Sequence, residues 1–278
     1  KRKGFYMILE CVNFKNKKLE SLKKEIENLK EKVMLAIIQV GDNPSSNKYV
    51  NNKIKTCNNI GIETTLIKLD TEANTGQVIE VVETFNSLKK CNGIIVQLPL
   101  PKHIDVETVL QSINPLKDID CLTNENIGKL HSGNPFIYPC TPLGCVEILE
   151  EMMGVDLAGK NVLILGRSNI VGRPLASMLE QKNSTVTLAH SKSKLDYNRY
   201  DIIISAIGKP KQIVINNPSA ILIDVGINFD ESGKMCGDFD LENSRYKIAT
   251  PVPKGVGAIT CMEVCNNVIK LYRKQRGE

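Results

Sequence analysis

The sequence has no apolar run long enough to span a bilayer, which excludes a membrane-spanning helix. It has no C-x-x-C pair: the nine cysteines are an odd number, widely spread. Cys261 and Cys265 share a helix face but lack a second pair of ligands. Neither a disulfide framework nor a metal site is therefore expected, and the cysteines read as buried free thiols in a reducing compartment. No arm or face concentrates basic charge. The net charge of +5 is spread through segments such as KNKKLESLKKEIENLKEK (15–32), where lysine alternates with glutamate. A nucleic-acid partner is thus not expected, whereas a small anionic ligand suits the mild positive balance. The opening KRKGFYMILE has no apolar core before a cleavage site, so no signal peptide is expected. The expected compartment is the cytoplasm, with an organelle, after removal of a presequence, as the alternative. Internal repeats and low-complexity linkers are also missing.

What is present is ordinary globular composition. The 278 residues are 42% hydrophobic and 24% charged, enough for one large domain or two modest ones. Leu19, Leu22, Ile26 and Leu29 recur at helical spacing, so an amphipathic helix is expected to end near Lys32. VMLAIIQVG (33–41) is a nearly continuous apolar run, suited to a buried parallel strand. A helix carrying Tyr49 and Lys53 follows, then a strand in ETTLIKLD, a helix in GQVIEVVETFNSLKK and a strand in NGIIVQLPLP (92–101). The alternation is βαβ logic and implies a parallel sheet.

A second unit is expected to start near Thr141. TPLGCVEILEEMM reads as a helix with Thr141 at its N-cap and Pro142 at N1. KNVLILGRSNIVGRPLASMLEQKNSTVTLAH then runs strand, glycine loop, helix, strand, and DIIISAIG and AILIDVGIN are further strands. The expected fold class is α/β with two domains. Residues 1–140 form the first, with the last helix (about 257–278) packing back on it. Residues 141–256 form a Rossmann-like dinucleotide-binding domain.

Two features suggest chemistry. In LILGRSNIVGRP (163–174), a glycine loop lies between a strand and a helix, where backbone can approach a pyrophosphate and the helix N-terminus offers free N–H groups. Gly166 and Gly172 are six apart, a departure from G-x-G-x-x-G, and an ordinary βα turn is the alternative. At the end of the following strand, TLAHSKSK places His190, Ser191 and Lys192 and no carboxylate before Asp196. That favours NADP over NAD, because nothing there repels a 2′-phosphate. The second feature is Tyr49 and Lys53, four residues apart and hence on one helix face. A solvated face with a stray aromatic is the plain alternative.

VGDNPSSNKYVNNK, GIIVQLPLP, PCTPLG, GRSNIVGRP, DVGIN and PVPKGVGAIT occur in one order along nearly the whole chain. Together they resemble the bifunctional methylenetetrahydrofolate dehydrogenase/cyclohydrolase family. The resemblance implies two α/β domains around a cleft, a folate substrate, NADP and a homodimer. It implies oxidation of 5,10-methylenetetrahydrofolate to the methenyl cation, then hydrolysis to 10-formyltetrahydrofolate. Alternatives are a dehydrogenase-only member and a non-catalytic dinucleotide-binding protein.

By the same resemblance, Lys53 matches the essential lysine, Tyr49 its neighbour and Gln97 the glutamine that hydrogen-bonds it. A partly desolvated lysine beside a cation should have a depressed pKa and can shuttle protons. Asp120 matches the aspartate on the donor edge of the pterin; without the resemblance, Asp118 and Asp120 read as loop carboxylates. Ser46 helps shape the pocket. Leu98, Pro251 and Gly255 match substrate-binding positions. Thr141, Gly166, Arg167, Ser168, Ser191 and Ile227 match cofactor-lining positions. The chain departs from the family at Lys254 and Cys121, where glycine is usual, and at Ala258, where proline is usual. Lys254 is expected to point out of the cleft or toward an anion, such as the glutamate tail of folate.

Overall fold

The computed structural model describes residues 6–278. The chain opens with β1 (Met7–Ile8) and α1 (Val12–Glu27), followed by β2 (Met34–Val40), α2 (Pro44–Asn59), β3 (Glu63–Leu69), α3 (Thr75–Ser87) and β4 (Gly93–Val96). Short helices α4 (Val106–Gln111) and α5 (Asn124–His131) precede α6 (Cys140–Glu147). Then come β5 (Asn161–Leu165), α7 (Gly172–Gln181), β6 (Thr185–Ala189), β7 (Ile202–Ser205) and β8 (Ile221–Asp224). The end is built from β9 (Asn228–Phe229), β10 (Met235–Cys236), β11 (Ile248–Ala249) and α8 (Val256–Lys274). The chain divides into two compact units. One joins Lys17–Cys140 to Cys261–Glu278, and the other joins the chain up to Asn16 to Thr141–Thr260.

The first unit is organised by β2, which is buried along its whole length and pairs in parallel with β3 on one side and β4 on the other. Strand residues alternate between faces, and both faces of β2 are apolar. Leu35 and Ile37 pack with Val50 and Cys57 of α2 and with Val264, Cys265, Val268, Leu271 and Tyr272 of α8. Leu19, Leu22 and Ile26 of α1 cover the same core, as their helical spacing predicts, and Leu29 joins them from beyond the helix. Ala36 and Ile38 pack the other way, against Val78, Val82 and Phe85 of α3. The start of α3 is fixed by a reciprocal cap: Asn74 accepts from the Gln77 N–H, and the Gln77 side chain accepts from the Asn74 N–H.

Among the described residues, the second unit holds a parallel sheet in the order β1-β11-β8-β7-β5-β6. Strand order reverses at β5, with β6 on one side and β7 on the other. Ligands of open parallel sheets bind beyond the C-terminal ends of the strands at such a reversal. Here those ends are Leu165 and Ser205.

Three local expectations differ from the structure. The segment around Met7, assigned by sequence to the first domain, pairs with β11 of the other unit through Met7 N to Lys247 O (3.2 Å) and Leu9 N to Ala249 O (2.9 Å). α1 stops at Glu27 rather than near Lys32, and Leu29 packs on the core from the turn beyond it. Thr141 is not an N-cap: α6 already includes Cys140, and the Thr141 hydroxyl lies 3.2 Å from that of Thr260. All nine cysteines are buried thiols outside any disulfide, with Cys57 Sγ and Cys265 Sγ 3.6 Å apart in the core.

Candidate active site

β4 ends at Val96, and Gln97 continues its ladder by donating its N–H to Ile38 O (2.8 Å). The Gln97 amide then has one committed end, because Nε2 donates to Leu98 O at 2.7 Å. Its oxygen is left facing α2, where Lys53 Nζ donates to Oε1 at 3.1 Å. Lys53 is only 8% exposed, so the solvated-face alternative does not hold. One turn earlier on the same face is Tyr49, half-buried, its phenol pushed up to about 12 chiefly by burial. It is a neutral hydroxyl at any physiological pH. Ser46 is buried at the start of the same helix. Leu98 precedes Pro99 through a cis peptide.

Asp120 sits half-buried in a loop held on both sides. Asp118, 1% exposed, accepts from Leu122 N (3.0 Å), Thr123 N (2.9 Å), Thr123 Oγ1 (2.8 Å) and Asn126 Nδ2 (2.9 Å). Burial pushes its carboxyl up, and those donors oppose the shift. From the other side, Asn267 of α8 donates to Ile119 O (2.9 Å) and Tyr138 O (2.8 Å). Cys140 lies against the Asp120 side chain and near that of Lys53. Its thiol is raised by burial first, then by Asp120 and Glu263. The structure therefore brings Lys53, Gln97, Cys140 and Asp120 into one neighbourhood.

Sequence reasoning passed over three residues of this neighbourhood. Asp118 reads from the sequence as a loop carboxylate, yet it clamps the loop. Cys140 stands inside the quoted PCTPLG, and that motif was the signal available for it. Asn267 carried no local signal, since its partners lie more than a hundred residues away.

The other unit holds the dinucleotide candidates. Gly166 follows β5 at φ +111°, and Gly172 opens α7. A Cβ on Gly172 would stand 2.0 Å from Gly166 O, and one on Gly166 would stand 2.6 Å from Ala206 O. The two glycines thus lie against each other, and six-residue spacing is what this tighter turn uses. Ser168 Oγ accepts from Val171 N at 3.2 Å inside the turn, and Arg167 and Ser168 are exposed. Beyond β6, Ser191 and Lys192 are exposed, while Asp196 is engaged in accepting from Asn198 N at 3.1 Å. The backbone cradle, the helix N-terminus and the carboxylate-free strand end fit a dinucleotide with a 2′-phosphate. Ile227 packs near Gly257. Pro251, Gly255 and Thr141 belong to this unit rather than to that of Lys53, and a Cβ on Gly255 would meet Pro251 O at 2.3 Å.

Residues 9–120 match the family model described as the catalytic domain of tetrahydrofolate dehydrogenase/cyclohydrolase, and residues 139–276 match its NAD(P)-binding domain. The chain belongs to this family. It is 44% identical over 271 residues to "Bifunctional protein FolD" of Rickettsia canadensis, covering 93% of each chain. The Acetivibrio thermocellus protein of the same name is 44% identical over 266 residues, covering 92% of this chain and 93% of that one. Among solved structures, the Campylobacter jejuni FolD dehydrogenase/cyclohydrolase is 36% identical, with a TM-score of 0.90 over 97% of this chain and 99% of that one. A Trypanosoma brucei FolD, complexed with NADP cofactor and inhibitor, is 30% identical, with a TM-score of 0.91 over 98% and 99%.

The two departures from family glycine fall on left-handed backbone: Cys121 has φ 55° and Lys254 φ 80°. Glycine takes that conformation freely and other residues do so at a cost. Lys254 does find an anion, but within its own unit: Nζ lies 3.1 and 3.3 Å from the two carboxylate oxygens of Glu10. Lys254→Gly and Lys254→Ala both delete this exposed pair, and only glycine relieves the backbone. Lys254→Gly is therefore expected to be more stable than Lys254→Ala by about 1 kcal/mol. Denaturant midpoints measure the difference, and coincident midpoints would rule out strain at this turn.

Proposed function

We infer that the chain oxidises 5,10-methylenetetrahydrofolate to the 5,10-methenyl cation with NADP, and then adds water to that cation to give 10-formyltetrahydrofolate. The observation that carries the reading is the buried hydrogen bond from Lys53 to Gln97, one helical turn from Tyr49, in a chain of this family. Bound NADP supplies the hydride acceptor. Everything else is work for side chains. Asp120 accepts hydrogen bonds from the aminopyrimidinone edge of the pterin. Tyr49 orients the lysine and stacks on the folate ring. Lys53 takes a proton from the attacking water and returns it to N5 as the N5–C bond breaks, and the remaining hydroxyl proton is lost to solvent as the formyl C=O forms. Gln97 holds Lys53 by an uncharged oxygen. A carboxylate there would lock the lysine in its charged form.

Leu98, Pro251 and Gly255 complete the folate contacts. Gly166, Arg167, Ser168, Ser191, Thr141 and Ile227 bind NADP, the first three around its phosphates. A dehydrogenase-only enzyme would have no need of the lysine–glutamine pair, which favours the bifunctional reading. A homodimer and a cytoplasmic location belong to the same reading, and among the described residues no helix is long and apolar enough to cross a membrane.

The test is a single assay in two parts. Wild-type protein given methylenetetrahydrofolate and NADP should form methenyl-tetrahydrofolate and then clear it. The same assay with NAD should show lower kcat/KM, because each charge-assisted hydrogen bond to the 2′-phosphate is worth roughly 1.5–3 kcal/mol. Equal kcat/KM for the two cofactors, or a preference for NAD, would overturn the cofactor assignment.

A further inference from the structure

Asp238 follows β10 and is fully buried, yet its carboxylate accepts from five donors. Oδ2 accepts from Ser205 Oγ (2.8 Å), Ile207 N (2.9 Å) and Gly208 N (3.4 Å). Oδ1 accepts from Lys209 N (2.9 Å) and Asn228 Nδ2 (2.9 Å). Three successive amides leaving β7 thus converge on one anion, and Gly208 at φ +66° lets the chain curl so. A run of such N–H groups is an anion-binding concavity. Here the protein's own carboxylate fills it, so a cofactor phosphate must turn to the Gly166 turn and the start of α7.

The same carboxylate is interlocked with the end of β8. Asp224 accepts from Asp238 N, Phe239 N and Gly226 N, each at 3.0 Å. A Cβ on Gly226 would stand 2.0 Å from Asp238 Oδ1, and one on Gly237 would stand 2.0 Å from Asp224 Oδ2. Each carboxylate rests where the other strand's glycine has no side chain. Ile227, a cofactor candidate, lies between Gly226, held by Asp224, and Asn228, held by Asp238. Ala206, the residue before the three converging amides, presents the carbonyl against which Gly166 packs. The loops after β5, β7 and β8 are all tied, directly or through one neighbour, to Asp238.

We propose that Asp238 is a positioning residue for NADP: by holding the backbone after β7 and β8, it sets the shape of the dinucleotide crevice and hence the cofactor affinity. The proposal rests on the NADP reading above. Being buried, Asp238 touches no cofactor itself. An asparagine in its place keeps the shape but turns one acceptor oxygen into a donor that faces N–H groups, so the turn must move.

Asp238→Asn is expected to raise the KM for NADP about 10–100-fold, with kcat at saturating NADP reduced far less. Its cyclohydrolase activity on supplied methenyl-tetrahydrofolate, assayed without NADP, should stay within about threefold of wild type, as should its KM for folate. An NADP KM within about threefold of wild type overturns the proposal. So does a parallel fall of both activities with the unfolding midpoint, which would make Asp238 a stability residue only. Should Asp238→Asn fail to fold, Ser205→Ala removes a single donor from Oδ2; it is expected to raise the NADP KM roughly threefold, and no change there overturns the proposal. Absence of NADP-dependent oxidation in the wild type would instead refute the functional reading itself.

Discussion

Lys53→Met is expected to lose cyclohydrolase activity by about 10²–10⁴-fold, the usual contribution of general acid–base catalysis. Methionine keeps roughly the length and apolar stem of the lysine, and removes its protons. Hydride transfer needs chiefly the orientation of the methylene carbon against the cofactor, and so survives in part. Methenyl-tetrahydrofolate should therefore accumulate in the variant where the wild type clears it. The substitution also leaves Gln97 Oε1 without its 3.1 Å donor. An unsatisfied buried acceptor costs about 1–3 kcal/mol of stability, so the surviving dehydrogenase activity serves as the control for folding. Gln97→Ala should slow the same step, since it frees the lysine from its holder. A Lys53→Met variant that clears the methenyl form at a near wild-type rate would show that the lysine is not the proton shuttle.

Asp120→Ala should weaken folate binding and lower both activities, with NADP binding nearly unchanged. Two hydrogen bonds to a carboxylate at roughly 1.5–3 kcal/mol each correspond to a rise of about 10²–10⁴-fold in the dissociation constant for folate. The fold should tolerate the change. The loop is held by Asp118 through Leu122, Thr123 and Asn126, and by Asn267 through Ile119 O. Calorimetry with folate and with NADP separates the two affinities. Normal folate binding by the variant would remove Asp120 from the pterin site.

Contacts set by periodicity are readable in the sequence. The run VMLAIIQVG announces a strand buried on both faces, because an alternating strand with one wet face could not afford it. The Leu19, Leu22, Ile26 and Leu29 stripe needs no partner to be recognised, and the core it joins is the one those positions face. Tyr49 and Lys53 stack on one face for the same reason of spacing. Local patterns were less reliable at ends. Thr141 looks like a cap, but the helix begins a residue earlier, a choice made by the path of the chain before it.

The sequence by itself determined the α/β alternation, the glycine turn after β5, the lysine on its helix and, through the order of its motifs, the family. All of these are encoded within a few residues of one another or in the order of short segments. The tertiary structure alone decided which polar groups meet. Lys53 and Gln97 are 44 residues apart, Ile119 and Asn267 are 148, and Ser205 and Asp238 are 33. β1 finds its partner only at Ile248. The physical reason is that a carboxylate or amide carries no information about its distant donor; it becomes a clamp, a holder or an orphan only when packing of the apolar cores brings separate strands and helices to within hydrogen-bond reach.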